Sequence, residues 1–326
     1  MSADLRRKFL WSLVLALLVY IVLAVYGDWQ KLTSELSDFP WLWLPAIIGL
    51  TLANYTGRLI KWHWYLGLVG VRIGWIESAR IFGIGMIMVM TPGKVGEFMK
   101  AYMVKNVTGA AMSGTAPIVL AERITDGLAM LILASVGMFA FLDPTRRLLA
   151  VGVMVALLAV VIVIQIRPLA LWFLGIGRQM PFVKRFADSL YQFYESSYTL
   201  FRPRNLLIAI SIGTLSWLCE GLAYYLVVVG MGVEPGWITA LDAVFIFSIS
   251  TVLGAVIGTP GGLGGTEGGL VALAVQLLDM GRAPATAAAL LIRFATLWFG
   301  VAIGLVSLAL WPHLLDGAPT AERVKG

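Results

Sequence analysis

The chain has 326 residues, of which 60% are hydrophobic and 13% charged, with a mean hydropathy of +0.88 and a formal net charge of +6. Soluble domains carry about 25% charged residues, so most of this chain takes lipid as its solvent, and its continuous apolar runs select helices over a barrel. A lone cysteine, Cys219, excludes an internal disulfide, the distant His63 and His313 offer no zinc or iron–sulfur ligand set, and basic tracts beside apolar spans indicate membrane anchoring rather than nucleic-acid binding.

The first element follows Arg6, Arg7 and Lys8. It is an uncharged stretch over 9–26, longer than the about 7–15 residues of a secretory leader, and is expected to be a transmembrane helix. Further spans are expected over 41–60, 113–141, 148–166, 206–230 and 284–310. Each is long enough to cross a core of about 30 Å at about 1.5 Å per residue.

Two other apolar segments are interrupted. In 79–105 the break holds Thr91, Pro92, Gly93, Lys94, Val95, Gly96 and Glu97; in 237–279 it holds Thr259, Pro260, Gly261, Gly262, Leu263, Gly264, Gly265, Thr266 and Glu267. Proline removes a backbone donor and glycine frees the chain, so each helix breaks at membrane depth, which is tolerable only inside protein or beside a polar cavity. These are expected to be re-entrant hairpins, although 237–258 is long enough to cross unaided.

The breaks belong to an internal repeat: Arg123 follows Glu97, and Arg293 follows Glu267, at the same interval of 26 positions. Loop charge supports this, because Arg167, Arg178, Lys184, Arg185, Arg202 and Arg204 mark 167–204 as cytoplasmic along with the amino terminus. An even number of crossings must then separate the two, which requires 79–105 to return to its own side. Arg146 and Arg147 fall outside in this scheme, at a local cost.

The expected fold is therefore an all-α polytopic membrane protein with six full transmembrane helices and two Pro-Gly-broken re-entrant hairpins, eight elements if each hairpin counts once. A single membrane domain over 1–326 divides into inverted units at about 1–147 and 148–326, with both termini cytoplasmic and an amphipathic interfacial helix at 183–201. Inverted repeats with broken helices are a transporter architecture with the substrate near the midplane.

Charge inside the membrane costs from a few to more than about ten kcal/mol, so intramembrane ionisable residues are candidate functional residues. They are Arg58, Glu97, Glu122, Arg123, Asp126, Glu220, Glu267 and Arg293. On one helix Glu122, Arg123 and Asp126 can share a face. Two readings stand: a neutral network that only joins helices, or arginines 123 and 293 free to meet an anion. The helices that start after Gly93 and Gly265 present N-terminal N–H groups and the positive end of a dipole, which suits an anionic head group. No nucleophile–base triad, Walker-type loop or metal-binding aspartate cluster is present, so neither an enzyme nor an ATP hydrolase is expected.

With these residues in view, the chain resembles the flippase-like family that includes the transmembrane domain of lysylphosphatidylglycerol synthase. The carrying features are Arg58, the run from Thr91 to Glu97 with Lys100, the run from Glu122 to Asp126, Glu220, the run from Thr259 to Gly264 with Glu267, and Arg293. The resemblance implies a lipid flippase or scramblase in the inner cell membrane that moves a polar lipid head group between leaflets. Arginines 123 and 293 would bind phosphate, and Glu97, Asp126 and Glu267 would orient them or exchange protons. Arg58, Lys94, Glu122 and Glu220 complete the binding set, while Pro92, Gly93, Gly96, Pro260, Gly261, Gly262 and Gly264 would form gates.

The expected partner is a phospholipid or a polyprenyl-phosphate-linked lipid, with a separate lipid-modifying enzyme and a second copy of the chain as further candidates. Only some 15 residues follow Trp311, so an aminoacyl-transferase domain is not expected. The alternatives are a membrane enzyme acting on lipid-linked sugars and an ion-coupled carrier of a small solute.

Overall fold

The computed structural model describes residues 18–22, 25–26, 28–91, 96–141, 148, 151–152, 155, 158–159, 162 and 187–315. Most of the expected spans 9–26 and 148–166, the residues Pro92 to Val95 and the carboxyl-terminal tail lie outside them. Among the described residues all regular structure is helical.

After helical residues at 18–22 and 25–26 comes α1, Trp29–Asp38, whose Asp28 cap accepts the Gln30 N–H at 3.3 Å. Pro40 then stops the helix and a short turn, Trp41–Trp43, leads into α2, Leu44–Leu68, at a bend of 65°. α2 outruns the expected 41–60 by eight residues, because its last turns continue through Lys61, Trp62, Tyr65 and Leu66, all buried against neighbouring helices.

Next come two short arms, α3, Trp75–Ile87, and α4, Met99–Thr108, which pack on each other. At about 1.5 Å per residue neither reaches across about 30 Å. α5, Met112–Phe141, is 30 residues long and carries the Glu122, Arg123 and Asp126 cluster. α6, Ala187–Leu200, covers most of the expected interfacial helix and lies along α5.

α7, Pro203–Gly230, begins on a proline at its first turn, where the missing N–H has no partner to lose. α8, Trp237–Ile257, ends at Gly258 in the left-handed region, and α9, Gly265–Leu277, turns back along it. The return is close: a side chain at Gly269 would strike Ser250, which places the arms antiparallel given that Gly254 faces Thr266. The last span is α10, Arg282–Arg293, a π-helical turn, Phe294–Trp298, and α11, Phe299–Leu310.

Three described helices are long and apolar enough to cross a bilayer unaided: Pro203–Gly230, Trp237–Ile257 and Arg282–Leu310; the bent α1–α2 pair makes a fourth. α5 has the length but holds three charges.

α2 packs most extensively on α7, antiparallel, with Gly57 on Ser216 and Phe39 on Gly230. α3 packs on α11 and α8 packs on α5. Lipid tails are as apolar as leucine, so association here rests on close packing and polar contacts rather than on the hydrophobic effect. Gly304 illustrates this: any side chain there would meet the Ile87 backbone nitrogen at 2.6 Å. Met88 and Met90 pack in one cluster with Leu263 and Val301.

Candidate functional site

Beside the turn at Pro260–Gly262, α2, α5, α7 and α10 border a half-open cavity of about 110 Å³ into which several charged side chains reach. One water needs about 10–15 Å³ of such volume, so a group with several polar atoms fits. Four cations, Arg58, Lys100, Arg123 and Arg293, and two carboxylates, Glu97 and Glu220, line it. The remaining carboxylates of the cluster, Glu122, Asp126 and Glu267, are buried behind this wall.

Each cation is held by a partner that leaves part of it facing inward. Arg123 Nη2 meets Glu97 Oε2 at 2.5 Å. Arg293 donates from Nε to Glu267 Oε1 at 2.7 Å and from Nη2 to the Gly261 carbonyl at 2.5 Å. A guanidinium has five N–H donors, so each arginine keeps donors for a ligand. The two equal Glu–Arg intervals of the sequence are thus two ion pairs, and both arginines face one cavity.

The second break shows how the chain builds this. Pro260–Gly262 is a tight turn in which Gly261 and Gly262, and then Gly264, take φ of 62°, 71° and 83°, values that favour glycine. The turn aims the Gly261 carbonyl at Arg293. Glu267, three residues into α9, accepts the Gly264 N–H at 2.8 Å with the oxygen that Arg293 does not use. The expected free N–H groups at this helix start are therefore partly taken by the protein's own carboxylate. At the first break Gly96 donates its N–H to Thr91 Oγ1 at 2.8 Å, while Pro92, Gly93 and Lys94 fall outside the described residues.

On α5 the three charges share a helical turn but reach three different partners. Glu122 Oε2 accepts from Lys100 Nζ at 2.5 Å, and that ammonium also sits 4.4 Å from the Trp62 ring. Arg123 takes Glu97 rather than Asp126. Asp126 is shared by two cations of α2, bonded by Lys61 and 4.0 Å from Arg58 Nε. Arg58 also lies over the Trp217 ring at 5.4 Å. Glu220 lines the cavity without a hydrogen bond or ion pair to any described side chain.

Lys61 is not legible in the sequence as a site residue. The expected span, 41–60, ends one residue before it. Its spacing of three from Arg58 is the signal that places both on one face. Lys100 stands among the residues of the family resemblance but not in the expected binding set. The π-helical turn is likewise invisible in the sequence. It follows Arg293 directly and leaves the Thr296 carbonyl to accept the Tyr55 hydroxyl; such turns occur frequently at functional sites.

No group of three or more His, Cys, Asp or Glu side chains able to hold a metal occurs among the described residues.

Comparison with known proteins bears on the whole chain. Residues 9–304 match the family described as the lysylphosphatidylglycerol synthase transmembrane region. Two proteins of Methanothermobacter thermautotrophicus, each named a UPF0104 membrane protein, are 24% identical over 325 residues (90% of this chain, 92% of the relative) and 23% identical over 326 residues (93% of each). A third UPF0104 membrane protein, from Methanocaldococcus jannaschii, is 22% identical over 239 residues, covering 72% of this chain and 97% of the relative.

Proposed function

The chain belongs to the family of the lysylphosphatidylglycerol synthase transmembrane region, and from that premise we propose that it translocates a lipid with an anionic, phosphate-bearing head group between leaflets. Family membership supports a role connected with membrane lipids. The observation that carries the finer reading is the pair of arginines, Arg123 and Arg293, each held by its own glutamate and both facing one cavity.

Arginine forks suit phosphate oxygens, and their carboxylate partners hold them in place before the ligand arrives. A phosphate entering the cavity meets arginines that their own glutamates already neutralise, so neither Arg123 nor Arg293 stands as a bare charge when the site is empty. Arg58 and Lys100 add further donors.

The exchange of packing between halves, α3 on α11 and α8 on α5, supports two inverted units whose hairpins enter from opposite sides. In this reading rocking one half against the other alternates access, and the turns at Gly96 and Gly261 are the gates. The protein acts as a carrier rather than an enzyme, with both termini on the cytoplasmic face of the inner membrane.

The test is lipid retention. Protein extracted in mild detergent should carry anionic phospholipid, read by mass spectrometry of the bound lipids, and the double variant Glu267→Gln with Arg293→Met, which removes a buried pair whole, should lose most of it while still folding. Equal retention by the double variant, or a bound fraction that mirrors the bulk membrane, would remove the phosphate site.

A further inference from the structure

Beside the cavity, in the seam between α5 and α8, runs an apolar groove of about 400 Å³. Its wall is formed by Phe98, Gly127, Met130, Leu131, Val252 and Val256, and it shares Arg123 and Ala255 with the cavity. Phe98 and Val256 are exposed on the outer surface of the bundle, so the groove faces the surrounding lipid. Asp126 also borders it, but Lys61 and Arg58 already balance that carboxylate.

We infer that this groove is the acyl-chain site of the transported lipid, one tail lying along α5 and α8 while its phosphate rests on Arg123. The inference rests on the reading of the cavity as a phosphate site. Two observations select a lipid tail as the occupant. A compartment reached by charged side chains and an apolar one meet at a single arginine, which is the division of one amphipathic molecule rather than of a soluble solute. A second groove of about 430 Å³, bordered by α2, α3 and α11, also adjoins the same cavity, sharing Tyr55, Phe82 and Met86 with it but no arginine.

Moving a tail from bilayer to groove gains little free energy, because the two environments are equally apolar. The groove therefore guides rather than binds: it fixes where the tail runs while the head crosses. Position, not affinity, is what an experiment must read.

The full chain is reconstituted in phosphatidylcholine vesicles containing one of two photoreactive phosphatidylglycerols, with the diazirine at the acyl terminus or on the head group. The acyl probe should label the Met130, Leu131 and Val252 region selectively, and Val256→Trp or, as a second filling variant, Gly127→Leu should abolish that labelling; neither residue lines the cavity. Head-group labelling of the cavity should persist in both, which also reports that they fold. Acyl labelling spread evenly over the lipid-facing helices and unchanged by either variant overturns the groove, whatever the head-group probe does. Selective acyl labelling without head-group labelling instead removes the phosphate reading and leaves the groove standing.

Discussion

Glu267 holds Arg293 through one carboxylate oxygen, at 2.7 Å, and caps the start of α9 through the other, which accepts the Gly264 N–H at 2.8 Å. One side chain thus fixes both the turn of the second hairpin and the direction of the arginine that faces the cavity. Removing its charge should strand a buried guanidinium. Breaking a buried pair from one side typically costs about 3–5 kcal/mol, while removing both partners is often much milder. Glu267→Gln should therefore lower the melting temperature more than Glu267→Gln with Arg293→Met. Simple additivity in that double-mutant cycle would mean that the contact carries no energy.

The Glu97–Arg123 pair should respond less. The Arg123 side chain is 25% exposed against 9% for Arg293, so water and lipid head groups can better replace its lost partner. Glu97→Gln should cost a smaller fall in melting temperature than Glu267→Gln under the same conditions. The reverse order would show that exposure does not set the strength of the two pairs.

The turn at Pro260–Gly262 should tolerate no side chain. Gly261 has φ of 62°, and a methyl group would meet Leu297 at 3.1 Å and Met90 at 3.2 Å. A left-handed conformation costs a non-glycine residue about 1–2 kcal/mol before any clash is counted. Gly261→Ala should thus destabilise measurably, whereas Gly268→Ala, in a helix with nothing within 4 Å, should be close to neutral. Equal melting temperatures for the two variants would contradict the turn as described.

These features are unequally legible. The Glu97–Arg123 and Glu267–Arg293 pairs show in the sequence because a duplicated interval is a pattern that a single chain displays. The partition of Glu122 and Asp126 to Lys100 and Lys61 does not, since it depends on which helices pack beside α5. Helical spacing can place Glu122, Arg123 and Asp126 on one face but cannot say what lies opposite. The π-helical turn at Phe294–Trp298 adds a residue to a turn without interrupting the apolar run, so hydropathy carries no trace of it. The broken arms are legible because Pro-Gly removes a backbone donor and loosens the chain at one point, which an apolar helix cannot absorb without stopping.

Lys61 gives a prediction that the sequence alone does not offer. It shares Asp126 with Arg58, so its loss should leave Asp126 to draw Arg58 away from the cavity. Lys61→Met should weaken retention of anionic phospholipid although Lys61 does not line the cavity, and adding Asp126→Asn should restore part of it. If the double variant retains no more lipid than the single, Lys61 acts through stability alone.

Transport of a phosphate-bearing head group past Arg123 and Arg293 is read most directly as flux across a bilayer. Phosphatidylglycerol tagged on one acyl chain with a dithionite-sensitive fluorophore is placed in vesicles, and the fraction reached from outside is followed over time. A hydrogen bond to a charged group is worth about 1.5–3 kcal/mol, so Arg293→Met or Arg123→Met should slow the flux by roughly ten- to a hundredfold. Lys31→Ala, on the exposed surface of α1, should leave it unchanged. Flux through the wild-type chain no faster than in protein-free vesicles, or undiminished flux in both arginine variants, would contradict the account.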